Sequence, residues 1–409
     1  MDTLVAIVFL LTYLGMAAGG LPGIKVDRSW IAFAAAATLL VSSAISLPQA
    51  GDWIHWDALL LLFGMMVISA QFQLSGLYDR LGDRVAGLAA QPHALLAAVI
   101  MVSGTLSAVL INDVAAFALA PVLVIQLRRL SLDPTPYLLA LACACNAGSA
   151  ATLIGNPQNI LIGQAGALNF WGYLAFAIVP SMLALLTVFG VIAWLWRGRW
   201  QLPTVTSPAT VTGTSVPLKP WVAVAILLLL FTSPVPRELS VLMVALGVMA
   251  SRHHHSRDYV AAVDWNLLLL FVGLFVVTGA ASELPWAGEQ VAALTTQGLL
   301  PQSAIGLAGA SLLGSNLIGN VPFVVLLLQV WPDISPLQLQ ALALLTTLAG
   351  NLLLVGSVVN LIVAESARRH GVVLSFFQFA RVGVPVTLLS MAIAVVWIAL
   401  IHGAVFPAT

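Results

Sequence analysis

Long apolar segments recur along the whole chain, and short polar segments separate them. A membrane-spanning helix needs about 20 mostly apolar residues. Segments that suit this requirement, singly or as longer runs, lie at 4–21, 30–47, 58–75, 94–127, 137–164, 171–196, 220–234, 238–251, 265–282, 302–331, 336–365 and 381–402. The stretch 197–219 is rich in proline, serine and threonine, and we expect it to be a cytoplasmic linker. The pattern predicts an all-α polytopic membrane protein.

Two of these segments, 94–127 and 302–331, are too long for one span and have polar residues at their centres. The central sequences are SAVLINDV and SNLIGNVP. Non-helical backbone is tolerated at membrane depth only inside protein or beside a water-filled cavity. We therefore expect each segment to form a re-entrant helical hairpin, which enters and leaves the membrane on the same side.

A further segment, 137–164, carries helix-breaking residues within an apolar run. Its motif GNPQN contains Gly155 and Pro157, and a proline removes a backbone donor and disfavours helix in the preceding residue, Asn156. The helix should stop there and restart near Gln158. A restarted helix exposes free N–H groups and the positive end of its dipole, which suit an anion.

The segment 336–365 repeats this arrangement without a proline. Its interruption depends on Gly356 and Ser357, and Asn360 follows at the position that an asparagine also has in the first motif. We therefore predict one broken membrane helix in 137–164 and another in 336–365.

The basic residues predict an orientation. If the N-terminus lies outside and neither hairpin crosses, all but one of the 15 lysines and arginines fall on the cytoplasmic side, as the positive-inside rule requires. Only Arg237 falls outside. This arrangement has ten full spans, two of them broken. It places the protein in the cell's inner membrane with both termini on the outer side. Because 1–196 then contains an odd number of spans, 220–409 is inverted relative to it.

The two halves also share sequence. Three pairs of segments match in the same order: WDALLLLFGMM (56–66) with WNLLLLFVGLF (265–275), SAVLIN (107–112) with SNLIGN (315–320), and LIGNPQNILI (153–162) with LVGSVVNLIV (354–363). Each match alone is weak, but the shared order strengthens them. Two inverted repeats with a binding site near the midplane are the plan of many secondary transporters.

Composition supports a membrane protein. The chain is 61% hydrophobic and 7% charged, with a net charge of zero and a mean hydropathy of +1.04, whereas soluble proteins carry about 25% charged residues. Lipid must therefore be the solvent, and nothing suggests a nucleic-acid partner. The first apolar segment follows an acidic start, so we interpret it as a retained span rather than a signal peptide.

Asp113 is a lone carboxylate within the first predicted hairpin, since the nearest charged residues along the chain are Arg84 and Arg128. Intramembrane carboxylates are costly and mark ion pathways. Removal from water disfavours the charged form of a carboxylate, so such a group can take up a proton. We expect Asp113 to bind the coupling proton or cation. The alternative is a protonated Asp113 that acts as a structural hydrogen-bond donor between the hairpin arms.

The hairpin tips and helix breaks together form the predicted site. We expect substrate to bind the polar side chains of Asn112, Asn156, Gln158, Asn159, Asn320, Ser357 and Asn360. For the coupling ion we expect Asp113, Ser107, Ser315, Gly155 and Gly356. No lysine or arginine lies in these segments, so a dianion or trianion would depend on helix dipoles and bound cations. No metal site and no cofactor are expected; the coupling ion is H⁺ or Na⁺.

The segments NDVAAFALAP, NAGSAATLIGNPQNILIG, NVPFVVLL and VGSVVNLIVAE resemble the ion transporter superfamily, and within it the citrate-transporter-like and arsenical-pump branches. The resemblance covers nearly the whole chain. It implies two inverted repeats with re-entrant hairpins and broken helices, and secondary active transport; by analogy, a homodimer is one option. Relatives in the dicarboxylate branch carry Ser-Asn-Thr at both tips and bind sodium there. This chain instead has Ile111-Asn112-Asp113 and Gly319-Asn320-Val321.

These features predict a secondary active transporter of a small anion or oxyacid that works by alternating access and is coupled to protons or, as the second option, to sodium. Efflux of arsenite or antimonite is the first choice, because a small neutral or singly charged oxyacid needs no cationic residue. A citrate or dicarboxylate permease and a sodium/proton antiporter are the alternatives. The sequence has no GxxxxGK[ST] motif and no intramembrane nucleophile–base pair, so we expect neither ATP hydrolysis nor another enzymatic activity.

Overall fold

The computed structural model describes residues 1–18, 27–202, 218–251, 253–284, 301, 303–331 and 333–402. The regular elements in these ranges are all helices, so the prediction of an all-α membrane protein is confirmed. The predicted linker 197–219 lies between the helices that end at Leu195 and begin at Leu218, and its residues 203–217 lie outside the described ones.

The described helices divide between the two halves of the chain. The first half contains α1 (Asp2–Ala18), α2 (Arg28–Val41), α3 (Leu47–Trp53), α4 (Trp56–Leu74), α5 (Leu77–Ala86), α6 (Pro92–Val109), α7 (Asn112–Arg129), α8 (Thr135–Ser149), α9 (Pro157–Ala165) and α10 (Phe170–Leu195). The second half contains α11 (Leu218–Leu230), α12 (Arg237–Met249), α13 (Ser256–Ala261), α14 (Trp265–Ser282), α15 (Ala304–Leu317), α16 (Asn320–Val330), α17 (Pro336–Ala349), α18 (Val358–Arg369) and α19 (Phe376–His402).

Five described helices are long and apolar enough to cross a membrane, by length and composition. They are α4, α6, α10, α14 and α19. Four of them coincide with predicted spans. The fifth, α6, belongs to the first predicted hairpin, and its 18 residues also suit a crossing helix. The remaining predicted spans correspond to shorter helices or to the broken ones.

Both predicted hairpins consist of two helices joined by a two-residue turn. Helices α6 and α7 meet at Leu110 and Ile111, and helices α15 and α16 meet at Ile318 and Gly319. Each pair of arms is in contact. The turns coincide with the polar centres of the two long segments. Their re-entrant course in the bilayer stays a prediction.

Both predicted helix breaks are present. Helix α8 ends at Ser149 and α9 restarts at Pro157, where the side chain of Asn156 caps the new helix by accepting a hydrogen bond from the N–H of Asn159 at 2.9 Å. In the second half, α17 ends at Ala349, and a short 3₁₀ turn precedes the restart as α18. Glycine and serine therefore suffice to interrupt the second helix.

Helices α8 and α17, which lead into the breaks, are almost entirely buried and form the centre of the fold. Around them the two halves make reciprocal contacts. Helix α2 packs along α14, where Gly273 lies against the backbone of Ala32, and α12 packs along α4, where Gly64 lies against Val241. Gly64 and Gly273 are 209 positions apart, as are Ala32 and Val241. The same pair of contacts therefore occurs twice, with the roles of the halves exchanged.

Candidate substrate site

A small cavity lies where the two hairpin turns meet the two helix breaks. It is lined by Arg28, Asn112, Asp113, Pro157, Gln158, Leu267, Leu270, Gly319, Asn320, Val321, Pro322, Gly356, Ser357 and Val358. Its volume, measured for the centre of a water-sized sphere, is about 50 Å³. Since one water needs about 10–15 Å³ on this measure, the space holds a few waters or a small polar group.

Four helix N-termini open onto this cavity. Helix α7 begins at Asn112, α9 at Pro157, α16 at Asn320 and α18 at Val358, and all four of these residues are in the lining. Each N-terminus has backbone N–H groups without helical partners and carries the positive end of the helix dipole. The cavity therefore favours negative charge, as helix N-termini do in known anion sites.

Arg28 adds a full positive charge to the same cavity. It is the first residue of α2, whose start is fixed by Asp27, since Asp27 Oδ1 accepts a hydrogen bond from the N–H of Trp30 at 3.0 Å. Arg28 Nη1 lies 3.2 Å from the point that a Cβ atom on Gly319 would occupy. Arg28 takes part in none of the ion pairs among the described residues.

The expectation that an anion would depend on helix dipoles and bound cations alone was wrong. It considered only the hairpins and broken helices, whereas Arg28 reaches the cavity from α2. Gly319 allows this approach because its φ of +99° is a left-handed value that glycine adopts without strain, and because it has no side chain.

Asp113 is the acidic residue of the cavity lining. It is the second residue of α7, where its backbone N–H donates to Asn112 Oδ1 at 2.9 Å. Asp264 caps the N-terminus of α14, where its Oδ1 accepts a hydrogen bond at 3.1 Å from the N–H of Leu267, a residue of the same cavity lining. The cavity thus combines one guanidinium, four helix N-termini and one carboxylate.

The first hairpin turn is attached to the first helix break. The backbone N–H of Asn112 donates to the carbonyl of Gly155 at 2.9 Å. Its side-chain amide donates to Asn146 Oδ1 at 3.4 Å and to Ser149 Oγ at 3.3 Å, both in α8. Asn112 therefore lines the cavity with little freedom to move away from α8.

Two of the predicted substrate ligands in the first break, Asn156 and Asn159, hold the break together instead. Thr347 of α17 accepts from Asn156 Nδ2 at 3.2 Å and donates to Asn159 Oδ1 at 3.1 Å. Asn159 Nδ2 also donates to the carbonyl of Thr152 at 3.0 Å. Gln158 donates to the same Thr347 hydroxyl at 3.3 Å, but it remains in the cavity lining.

The second break is organised in a corresponding way. Asn360 Nδ2 donates to the carbonyl of Leu353 at 3.1 Å, and Asn360 Oδ1 accepts from Asn146 Nδ2 at 3.2 Å. Asn156, Asn159 and Asn360 are thus buried and are not in the cavity lining, whereas Asn112, Gln158, Asn320 and Ser357 are. The structure brings together four of the seven predicted substrate residues at the cavity.

The predicted ion-coupling residues also divide. Asp113 and Gly356 line the cavity, whereas Ser107, Ser315 and Gly155 lie behind it. The hydroxyl groups of both serines are buried; that of Ser107 interacts with the thiol of Cys145, and that of Ser315 has no hydrogen-bond partner among the described residues. Gly155 packs so closely that a Cβ would lie 2.8 Å from the carbonyl oxygen of Ser107.

Sequence reasoning missed Arg28 and three buried residues that join the halves, Asn146, Thr347 and Asn351. Asn146 donates to Asn351 Oδ1 at 2.9 Å, and Asn351 Nδ2 donates to the carbonyl of Cys143 at 3.0 Å. A signal was present, because Asn146 and Thr347 are each the tenth residue before the N-cap of a restarted helix.

A second, larger cavity of about 600 Å³ lies along the same helices α9, α14 and α16. Its lining includes Trp53, His55, Phe275, Thr278, Gln329 and Trp331. It shares no lining residue with the small cavity, and it contains neither Arg28 nor Asp113.

The family model described as citrate transporter matches residues 13–349. The chain belongs to the citrate transporter family. One relative is the 46 kDa membrane protein of Mycobacterium leprae. It is 27% identical over 427 aligned residues, which cover 97% of this chain and 98% of that protein. Inner membrane protein YbiR of Escherichia coli is 31% identical over 345 residues, which cover 82% of this chain and 85% of YbiR.

The structure of this citrate transporter family member is similar to the crystal structure of the YdaH transporter of Alcanivorax borkumensis. The TM-score is 0.55 at 15% identity, and the match covers 98% of both chains. At this identity the likeness concerns the fold alone. The family and the relatives establish that the protein is a membrane transporter and not an enzyme.

Proposed function

We propose that the protein is an ion-coupled secondary transporter that carries a small carboxylate or oxyanion by alternating access, with the small cavity as its substrate site. One observation carries this proposal: Arg28 and four helix N-termini converge on a cavity between the two hairpin turns. These groups attract an anion. Because they come from both halves of the chain, one bound anion can contact the two halves at the same time.

Arg28 changes the order of the candidate substrates. A guanidinium binds a carboxylate through two parallel hydrogen bonds, whereas neutral arsenous acid gains little from it. Arsenite or antimonite efflux, the first choice from sequence, therefore moves behind a carboxylate anion. The family's description as citrate transporter supports the same order.

Coupling follows from the position of Asp113 in the same cavity. A charged Asp113 repels the anion, and a protonated Asp113 does not, so proton binding and anion binding strengthen each other. Such reciprocal coupling moves proton and anion in the same direction. Sodium bound near Asp113 would have the same effect.

The reciprocal contacts of Gly64 and Gly273 support the remaining topological part of the proposal. The two halves are inverted repeats, each with a re-entrant hairpin, and both termini lie outside. The two hairpin turns then approach the substrate from opposite sides of the membrane, as alternating access requires.

Flux measurements in proteoliposomes test this function. Labelled citrate, succinate, arsenite and sodium are supplied separately, with and without a pH gradient and with and without a sodium gradient. We expect a gradient to drive accumulation of a carboxylate, and we expect Arg28→Gln to raise the KM for that anion about tenfold or more. Arsenite flux without carboxylate flux, or sodium/proton exchange without any anion flux, would overturn the proposal.

A further inference from the structure

Arg28 has a counterpart in the second half of the chain. Arg237 is the first residue of α12, as Arg28 is the first residue of α2, and the two arginines are 209 positions apart. Ala32 and Val241, four residues further along each helix, make the reciprocal contacts with Gly273 and Gly64. The two arginines thus occupy equivalent places in equivalent helix pairs.

Their surroundings nevertheless differ. Arg28 lines the small cavity beside Gly319 of the second hairpin turn. Arg237 Nη2 instead donates to the carbonyl of Gly163 in α9 at 2.8 Å, and the neighbouring Glu238 Oε2 accepts from Gln164 Nε2 at 3.1 Å. The start of α12 is therefore attached to the end of α9, and Arg237 is not among the residues that line the small cavity.

The different surroundings of Arg28 and Arg237 correspond to two arrangements that either half can adopt. Each arrangement is available to both halves, because the helix pair α2 and α14 corresponds to the helix pair α12 and α4. Alternating access exchanges them, so each half takes the arrangement that the other now has. In the exchanged state Arg237 faces the first hairpin turn, in which Ile111 is the sequence counterpart of Gly319.

We propose that Arg237 replaces Arg28 as the cationic residue of the substrate site when the site opens to the opposite side of the membrane. This inference rests on the proposed function. Arg28 then leaves the second hairpin turn and lies near Ala364 of α18, the counterpart of Gly163. The anion is thus held by one arginine on each face: Arg28 in the state described here, and Arg237 in the other.

Two further observations fit this role. Arg237 is the one basic residue predicted to lie outside, against the positive-inside rule, and a substrate-binding role accounts for a charge in that position. The cavity of about 600 Å³ is lined by Ala165 and Gly166, which follow the Gly163 contact along the chain. Space is therefore available for this end of α9 to move.

Kinetics measured separately from the two faces test the proposal. Right-side-out and inverted membrane vesicles report the KM for the transported anion on opposite sides. We expect Arg237→Gln to raise the KM about tenfold or more on the face at which α12 begins, with little change on the other. Arg28→Gln should show the reverse, and Arg237→Lys should restore part of the affinity lost in Arg237→Gln.

Glu238→Gln is the matched control, because it weakens the contact with Gln164 and leaves both arginines in place. If Arg237 only fastened α12 to α9, Glu238→Gln would change the kinetics in the same way as Arg237→Gln. That result, or an Arg237→Gln variant with unchanged KM on both faces, overturns this inference alone. Absence of anion flux in the unaltered protein overturns the proposed function as well.

A cross-linking experiment gives a readout independent of transport rates. Cysteines replace Ile111 and Glu238, the neighbour of Arg237, in a background in which Cys143 and Cys145, both buried, are replaced by alanine, so that Arg237 itself is kept. A short bifunctional thiol reagent should join the pair, and it should do so faster while substrate and ion gradient drive turnover. The single Glu238→Cys variant is the control. A pair that never cross-links during turnover contradicts the exchange.

Discussion

Asn146 Nδ2 donates to Asn360 Oδ1 at 3.2 Å, and this contact between two buried amides joins the halves of the protein at their helix breaks. The reciprocal contact runs from Thr347 Oγ1 to Asn159 Oδ1 at 3.1 Å. The break in each half is thus held by the helix that leads into the break of the other half, α17 for the first break and α8 for the second. Neither break can form its full set of hydrogen bonds until both halves have folded together.

Replacement of Asn146 by leucine should destabilise the protein strongly. The substitution keeps the volume of the side chain but removes the donor to Asn351 and Asn360 and the acceptor for Ser357. Each buried polar group left without a partner costs about 1–3 kcal/mol. Thermal unfolding in detergent measures the effect as a fall in Tm.

Thr187→Val is the matched control for that substitution. Thr187 is half-buried, and among the described residues it bonds within its own helix, to the carbonyl of Leu183 at 2.8 Å. We expect its Tm to stay close to that of the unaltered protein. Equal Tm values for the two variants would mean that the amide network does not stabilise the breaks.

Gly319→Ala should weaken anion binding. The φ of +99° at Gly319 is strained for any residue with a side chain, at about 1–3 kcal/mol, and the new methyl group would meet the guanidinium of Arg28. The guanidinium of Arg28 must then shift by a few tenths of an ångström. We expect a raised KM for the transported anion and a lower Tm.

The same hairpin offers a control in Gly309→Ala, since a Cβ there would meet nothing within 4 Å. Alanine favours a helix over glycine by about 1 kcal/mol, so transport should be unchanged and stability equal or higher. An equal effect of the two substitutions on KM would exclude a special role for Gly319.

Substitution by alanine should have different consequences at Gly64 and at Gly273. A Cβ on Gly273 would collide with the backbone of Ala32, whereas one on Gly64 would collide mainly with the side chain of Val241. Overpacking costs about 1–3 kcal/mol, and only a side chain can be shortened. We therefore expect Val241→Ala to rescue the stability of Gly64→Ala, and no substitution of Ala32 to rescue Gly273→Ala. Unfolding of each single variant and each double variant in detergent measures this, and rescue of both glycine substitutions would contradict the backbone contact.

Asp113→Asn should separate binding from coupling. In the unaltered protein we expect anion binding to strengthen as the pH falls, because protonation removes the negative charge from the cavity. The asparagine variant has no carboxylate in the cavity at any pH and keeps the positive charge of Arg28, so its affinity should not depend on the protonation of residue 113. Downhill flux should persist while gradient-driven accumulation is lost. Accumulation that still follows the pH gradient in Asp113→Asn would remove Asp113 from the coupling role.

The helix breaks and hairpin turns were predictable because their chemistry is local. Gly155 and Pro157 flank Asn156 and disfavour helix there. A polar centre in a long apolar run, such as the one around Asn112, must lie inside protein or beside a water-filled cavity. Arg28 was not predictable in this way. Its place in the cavity depends on how α2 packs along α14, and no local pattern encodes that contact.

Packing between the halves also explains why some predicted site residues line the cavity and others do not. Sequence identifies Asn156, Asn159 and Asn360 as polar groups in apolar surroundings, which is correct. It does not decide whether such an amide faces a ligand or bonds to the backbone of its own break. In the structure the partners are Thr347 and Asn146 of the opposite half, so the decision depends on a contact about 190 to 210 residues away in sequence.

The location of the bound anion is the most direct measurement. A cryo-EM map of the protein saturated with the anion that it transports should show density between Arg28, Asn320 and the N-terminus of α9. Density confined to the larger cavity beside Trp53 and His55, with the small cavity empty, would contradict binding at the hairpin turns.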